Sequence, residues 1–249
     1  MISQKVAQEI VLIILILLYS TVLGRLVPKK YHLYLNIGIA AVAITLGLAF
    51  GLSLENMGLA LDRILPGIYW AFIISAAIIL LILVISTIPI LRRFFIGDNL
   101  SNANGKLIAF EAAVRIPLGT ALVEEILFRG VLLGLLLQHH PTFEALVIAA
   151  AIFGLWHIFP TMDSMKSNAA AAKAIAHKTP RAAGSVIGVI ILTSIAGLFF
   201  GWLRILANSI VAPWLVHWSV NASGVVGIAV ATKLQNRSST KRKKVKVIK

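Results

Sequence analysis

Gly67–Pro89, GIYWAFIISAAIILLILVISTIP, contains no charged residue. A helix of about 20 apolar residues, rising ~1.5 Å per residue, crosses the ~30 Å hydrocarbon core of a bilayer. Pro66 opens this run, and Tyr69 with Trp70 are placed to anchor it at the interface. Similar runs lie on both sides. Ile10–Val27 is flanked by Lys5 and Glu9 before it and by Arg25, Lys29 and Lys30 at its far end. Its stronger positive flank follows it and no small-residue cleavage site appears, so it reads as an uncleaved anchor rather than a signal peptide. Leu33–Leu52 forms a second span, with Gly38 and Gly47 permitting close packing. A polar connector, Ser53–Arg63, precedes the quoted third span. Thr142–Phe159, Ser185–Ala207 and Ser209–Thr232 make the fifth, sixth and seventh.

The fourth is less regular. Leu107–Gln138 would extend ~48 Å as one helix, so a break or kink is expected at Pro117 and Gly119. Glu111 and Arg115, spaced i,i+4 in its first half, read as a structural pair.

Composition agrees with a membrane protein: of 249 residues, 59% are hydrophobic and 13% charged. The expected fold is all-α, a polytopic transmembrane helical bundle of about seven spans (six to eight). Residues 1–232 form a single membrane domain, with an active site between helices of the C-terminal half, and 233–249 form a basic cytoplasmic tail. The net charge of +14 does not point to nucleic acid, because 8 of the 23 Lys and Arg lie between Lys233 and Lys249 and no reader domain is visible. That tail suits anionic lipid headgroups. With no cysteine, disulfides, thiol nucleophiles and thiolate metal ligands are excluded.

Cations concentrate in alternate connectors: Arg25, Lys29 and Lys30; then Arg92, Arg93 and Lys106; then Lys166, Lys173, Lys178 and Arg181 around an alanine-rich patch expected to form a short surface helix. This asymmetry places the N-terminus outside and the C-terminus in the cytoplasm of a bacterial-type plasma membrane. His157 then falls near the cytoplasmic end of its span and His217 nearer the opposite side. A site containing both requires a tilted, broken or re-entrant span.

The chemistry begins at Ala121–Gly130, ALVEEILFRG. The chain has only nine acidic residues, and two of them stand together here in an apolar run. Each charge in hydrocarbon costs at least ~2.5–3.5 kcal/mol on insertion scales, so such groups are paired, inward-facing and functional. Glu125 and Arg129 are spaced i,i+4 and suit a helical ion pair. Glu124 is rotated ~100° away and is left free to face a cavity. Phe153 and His157 lie one turn apart on a later span, and His217 and Asn221 one turn apart on the last. His139 and His140, before Pro141, read as solvated turn residues, as do His32 and His177 in charged loops. Ser219 lacks a nucleophile-elbow context. No His-Glu-x-x-His zinc helix is present.

Glu-Glu-x-x-x-Arg, Phe-x-x-x-His and His-x-x-x-Asn, in that order on separate spans, resemble the CAAX prenyl protease and bacteriocin-processing family (CPBP, also ABI) over residues 118–226. The resemblance implies an intramembrane endopeptidase acting on a membrane-associated protein or peptide, of which prenylated CAAX proteins are the family example. It implies that Glu124 with His157 activates water, that His217 and Asn221 stabilise the oxyanion, and that Glu125, Arg129 and Phe153 support the site. Glu124, His157 and His217 would also make a two-histidine, one-carboxylate zinc set. Asn221, a poor zinc ligand and a good amide donor, favours the metal-free form. Other readings are a non-catalytic scaffold or bacteriocin self-immunity protein of the same family, and a small proton-coupled transporter. Intact motifs favour the peptidase, and no inverted repeat supports the transporter.

Overall fold

The computed structural model describes residues 4–92, 104–166 and 180–247. Most of the expected Arg92–Lys106 loop and the alanine-rich patch lie outside these. The described residues fold into helices without strands. They are α1 (Gln4–Leu26), α2 (His32–Ala49), α3 (Ile64–Thr87), α4 (residues 105–139), α5 (Thr142–Trp156), α6 (Ile158–Lys166), α7 (Pro180–Ala207) and α8 (Val211–Val247). Among the described residues, six stretches are long and apolar enough to cross a bilayer: Gln4–Val22, His32–Ala49, Leu61–Thr87, Thr142–Met162, Val186–Ala207 and Val211–Asn236. The chain is an integral, multi-pass membrane protein. The sixth span's helix starts earlier than expected, at Pro180, and the last continues through the basic tail to Val247.

The expected fourth span is α4, which forms the centre of the bundle. The side chains from Val123 to Leu136 are all buried, and α1, α2, α5 and α8 pack around them. Helix packing in lipid relies on van der Waals fit and small residues rather than on a hydrophobic driving force. Gly47, Gly154 and Gly197 supply that fit. A Cβ on Gly154 would lie 2.8 Å from the Ile190 carbonyl on α7, and one on Gly197 would lie 3.0 Å from Ala150 Cα on α5.

Pro117 does not break α4. The helix instead widens into π turns over Glu111–Arg115, Pro117–Ala121 and Ile126–Leu132. Ile116 N–H donates to Glu111 O, and Leu122 N–H to Pro117 O, each five residues back. In that register the partner of Ala112 O would be Pro117, which has no N–H. Trp218 of α8 takes up this carbonyl, its Nε1 donating at 2.6 Å, and Trp214 Nε1 donates to Pro117 O at 2.9 Å. The proline thus frees a carbonyl that docks α8, the helix bearing His217. Glu111 and Arg115 form the expected pair.

His139 and His140 correct the expectation of solvated turn residues. Both turn inward onto Glu9 of α1, which is itself buried. A carboxylate inside an apolar boundary needs hydrogen-bond donors, and these imidazoles are the nearest.

Candidate active site

Glu125 is fully enclosed, and its Oε1 accepts from two directions. Arg129 Nη1 donates at 3.1 Å, one turn along α4. His217 Nδ1 lies at 2.8 Å from the same oxygen, carried there by α8. Arg129 is as deeply buried and makes a further bond from Nη2 to Gly197 O on α7 at 3.2 Å. Its guanidinium stands 4.1 Å from the ring centre of Phe153 and 5.2 Å from that of Phe200, in reach of cation–π attraction. One arginine therefore joins α4, α5 and α7 while neutralising Glu125. The expected pairing of Glu125 with Arg129 is present. The bond from Glu125 to His217 is additional.

Phe153 packs edge-on against Phe128 at 4.9 Å and against His157 at 4.5 Å. His157 sits where α5 ends, with a turn before α6 begins. Its Nδ1 is 2.8 Å from Phe153 O. The helical path is interrupted at His157 and resumes as α6. The junction is pinned from α1, where Ser20 Oγ donates to Trp156 O at 3.0 Å and Tyr19 stacks on the Trp156 ring.

A carbonyl or carboxylate oxygen can only accept, so each histidine must donate from Nδ1. That assignment follows from partner chemistry. It leaves Nε2 of both rings facing the same atom. His157 Nε2 and His217 Nε2 each lie 3.9 Å from Glu124 Oε2. This oxygen is buried and has no hydrogen-bond partner in the protein. When the imidazoles are neutral, three acceptors converge here, an arrangement that suits a species with protons to donate, such as water.

The zinc reading can be compared with this geometry. Two ligands ~2.1 Å from a tetrahedral zinc are ~3.4 Å apart, less than the 3.9 Å found for each histidine with Glu124. Among the described residues, no group of three or more His, Asp or Glu is arranged to hold a metal ion.

The structure thus brings Glu124, Glu125, Arg129, Phe153, His157 and His217 together. Asn221 is half-buried one turn along α8 from His217, and no hydrogen bond joins its side chain to the described residues. Phe200 escaped the sequence reading. It stacks on His217 at 4.9 Å with only 18° between the planes, closing the ring's second face. Nothing in Phe199-Phe200-Gly201-Trp202 separates that phenylalanine from its apolar neighbours.

Comparison with curated proteins and with solved structures gives no match. Residues 106–223 match the family described as type II CAAX prenyl endopeptidase Rce1-like. The match runs from the start of α4 past the paired tryptophans and Asn221, covering every residue of the cluster. Peptidase activity is the general property of that family. Over those residues the chain is similar to the Rce1-like type II CAAX prenyl endopeptidases.

Proposed function

We propose that the chain is an intramembrane endopeptidase that hydrolyses a peptide bond of a membrane-associated protein or peptide, using Glu124 as general base. The observation that carries this reading is the convergence of His157 Nε2 and His217 Nε2 on the unpartnered Glu124 Oε2. A water held between Glu124 and His157 gives its proton to the carboxylate as its oxygen attacks the peptide carbonyl. Glu124 then passes that proton to the leaving amine, which departs as the tetrahedral intermediate collapses. General acid–base transfer of this kind contributes ~10²–10⁴-fold.

Oxyanion stabilisation falls to α8. A protonated His217 donates from Nε2 while Nδ1–H stays on Glu125, which supplies the counter-charge. Asn221, on the same helix face, adds an amide donor once substrate is bound. Such donors are worth ~3–4 kcal/mol each when aimed at the developing charge. This reading is metal-free, and it places the basic C-terminus on the cytoplasmic side against anionic lipid. The family's prenylated CAAX substrates are the first class to try.

The test is cleavage of lipidated and unlipidated peptides by purified protein in lipid nanodiscs, with and without chelator. Loss of turnover in Glu124→Ala and His157→Ala, with chelator having no effect on wild type, is the expected result. Equal turnover in wild type and Glu124→Ala removes the mechanism. Activity that tracks stoichiometric zinc replaces it with a metalloprotease.

A further inference from the structure

At the end of the bundle where α1 begins lies a polar pocket of about 310 Å³ that shares no lining residue with the glutamate–histidine motifs. Its polar lining is Glu55, Asn56, Gln138, Thr142, Arg204 and Asn208. These residues lie at the ends of helices or in connectors: between α2 and α3, between α4 and α5, and between α7 and α8. The connectors are held together, since Ile210 N–H donates to Gly58 O at 3.0 Å. The polar side chains therefore gather at one level, where the spans leave the hydrocarbon.

Arg204 is the central group. It is 4% exposed, yet no carboxylate pairs with it among the described residues. Nη2 donates to Asn56 O at 2.7 Å, Nη1 donates to Asn208 Oδ1 at 3.2 Å, and Nε has no acceptor. The guanidinium lies against Gly58, whose φ of +67° suits glycine and where a Cβ would stand 2.6 Å from Nε. The contrast with Arg129 is direct, because that buried guanidinium has the Glu125 carboxylate. A buried charge with only neutral acceptors keeps much of its desolvation cost, which an anion would offset.

The N-terminus of α5 reaches the same pocket through Thr142. Thr142 is the first residue of α5, a 15-residue helix whose N-cap, Pro141, provides no side-chain acceptor. The opening N–H groups of such a helix have no intrahelical partner and carry the positive end of its dipole, which is how helix N-termini bind oxyanions. Gln138 and Asn208 add side-chain amides. Two acids are nearby: Glu55 is exposed and lines the pocket, while Glu144 in the first turn of α5 lies 3.8 Å from His140.

We infer that this pocket binds a phosphate oxyanion, supplied either by a phospholipid headgroup at the membrane boundary or by free phosphate. A tetrahedral oxyanion has acceptors in several directions, matching polar groups from three connectors at the ends of the spans. The site is independent of the peptidase reading.

The test uses full-length protein, delipidated in detergent and titrated with inorganic phosphate by calorimetry and thermal shift. In parallel, native mass spectrometry follows retention of phosphatidylglycerol. Saturable binding of either ligand is expected. Gln138→Leu combined with Thr142→Val should weaken it at least about tenfold, and Glu55→Gln, by removing a repelling carboxylate, should tighten it roughly two- to fivefold. These rim positions leave the Arg204 clamp and the fold in place. Retained phospholipid without a phosphate response assigns the site to a headgroup, and the converse assigns it to the free ion. Absence of binding by both, or binding that the paired rim substitutions leave unchanged, overturns the proposal.

Discussion

The molecule contains two clusters of one glutamate with two histidines, and they differ in a single respect. Around Glu9 the contacts are closed: His139 Nδ1 is 2.7 Å from one oxygen and His140 Nε2 is 3.1 Å from the other. Around Glu124 they are held open, at 3.9 Å to each histidine. The residue types are the same. What separates the clusters is where the histidines spend their other nitrogen. His157 and His217 are tethered through Nδ1 to Phe153 O and Glu125 Oε1, so neither ring can swing in to satisfy Glu124. The Glu9 cluster is a finished hydrogen-bond network, and the Glu124 cluster keeps polar atoms facing one another across a gap.

The most severe test of this contrast exchanges the acids for amides. Glu124→Gln should lower peptidase turnover by ~10²–10⁴-fold. Glu9→Gln should leave it within a few-fold of wild type, as measured by cleavage of the same peptide. Similar losses in both variants would erase the distinction.

Next in size is removal of the charge on Glu125, the residue that tethers His217. Glu125→Gln leaves Arg129 buried without a counter-charge, and breaking a buried ion pair costs ~3–5 kcal/mol. The expected result is a markedly lower unfolding temperature together with lost turnover. A variant that melts like wild type would show that Gly197 O and the aromatic rings alone can carry the arginine.

Phe200→Leu probes the tether more gently. It keeps volume but removes the ring stacked on His217, an interaction of ~0.5–1.5 kcal/mol. Turnover should fall about three- to tenfold with a nearly unchanged melt, and the ring-proton shifts of His217 in NMR spectra should move. Unchanged shifts would mean that Glu125 alone fixes the imidazole.

The smallest effect belongs to the closed cluster. His140→Ala leaves Glu9 with His139, so the expected cost is about 1 kcal/mol or less in chemical denaturation. A loss above ~3 kcal/mol would mark that end of the bundle as a folding keystone.

Much of this was legible in the chain. Gly67–Pro89 specifies a membrane span by length and apolarity, and Glu125 with Arg129 specifies a pair by helical spacing. Those are local signals. The bond from Glu125 to His217 joins residues 92 apart, and no periodicity encodes it. His139 and His140 looked like turn residues because they precede Pro141, and their partner is 130 residues back in the sequence. Phe200 was invisible for a different reason, since an aromatic ring in an apolar span carries no mark of what it covers. Pro117 and Gly119 mark a break or kink in the sequence, and the helix there widens instead. The i,i+4 rule that made them suspect does not foresee a helix that answers by widening.

That widening also constrains the length of the chain. Each residue added to or removed from a regular helix turns everything beyond it by ~100°. The indoles of Trp214 and Trp218 hold α4 at Pro117 and Ala112, so the count from there to Glu124 sets which way that carboxylate points. Losing one residue between Pro117 and Glu124, unless the wide turn relaxed to absorb it, would carry both acids around the axis together. Every residue of the motif would survive, aimed at the wrong neighbours. In this segment, spacing is as much a part of the candidate site as composition.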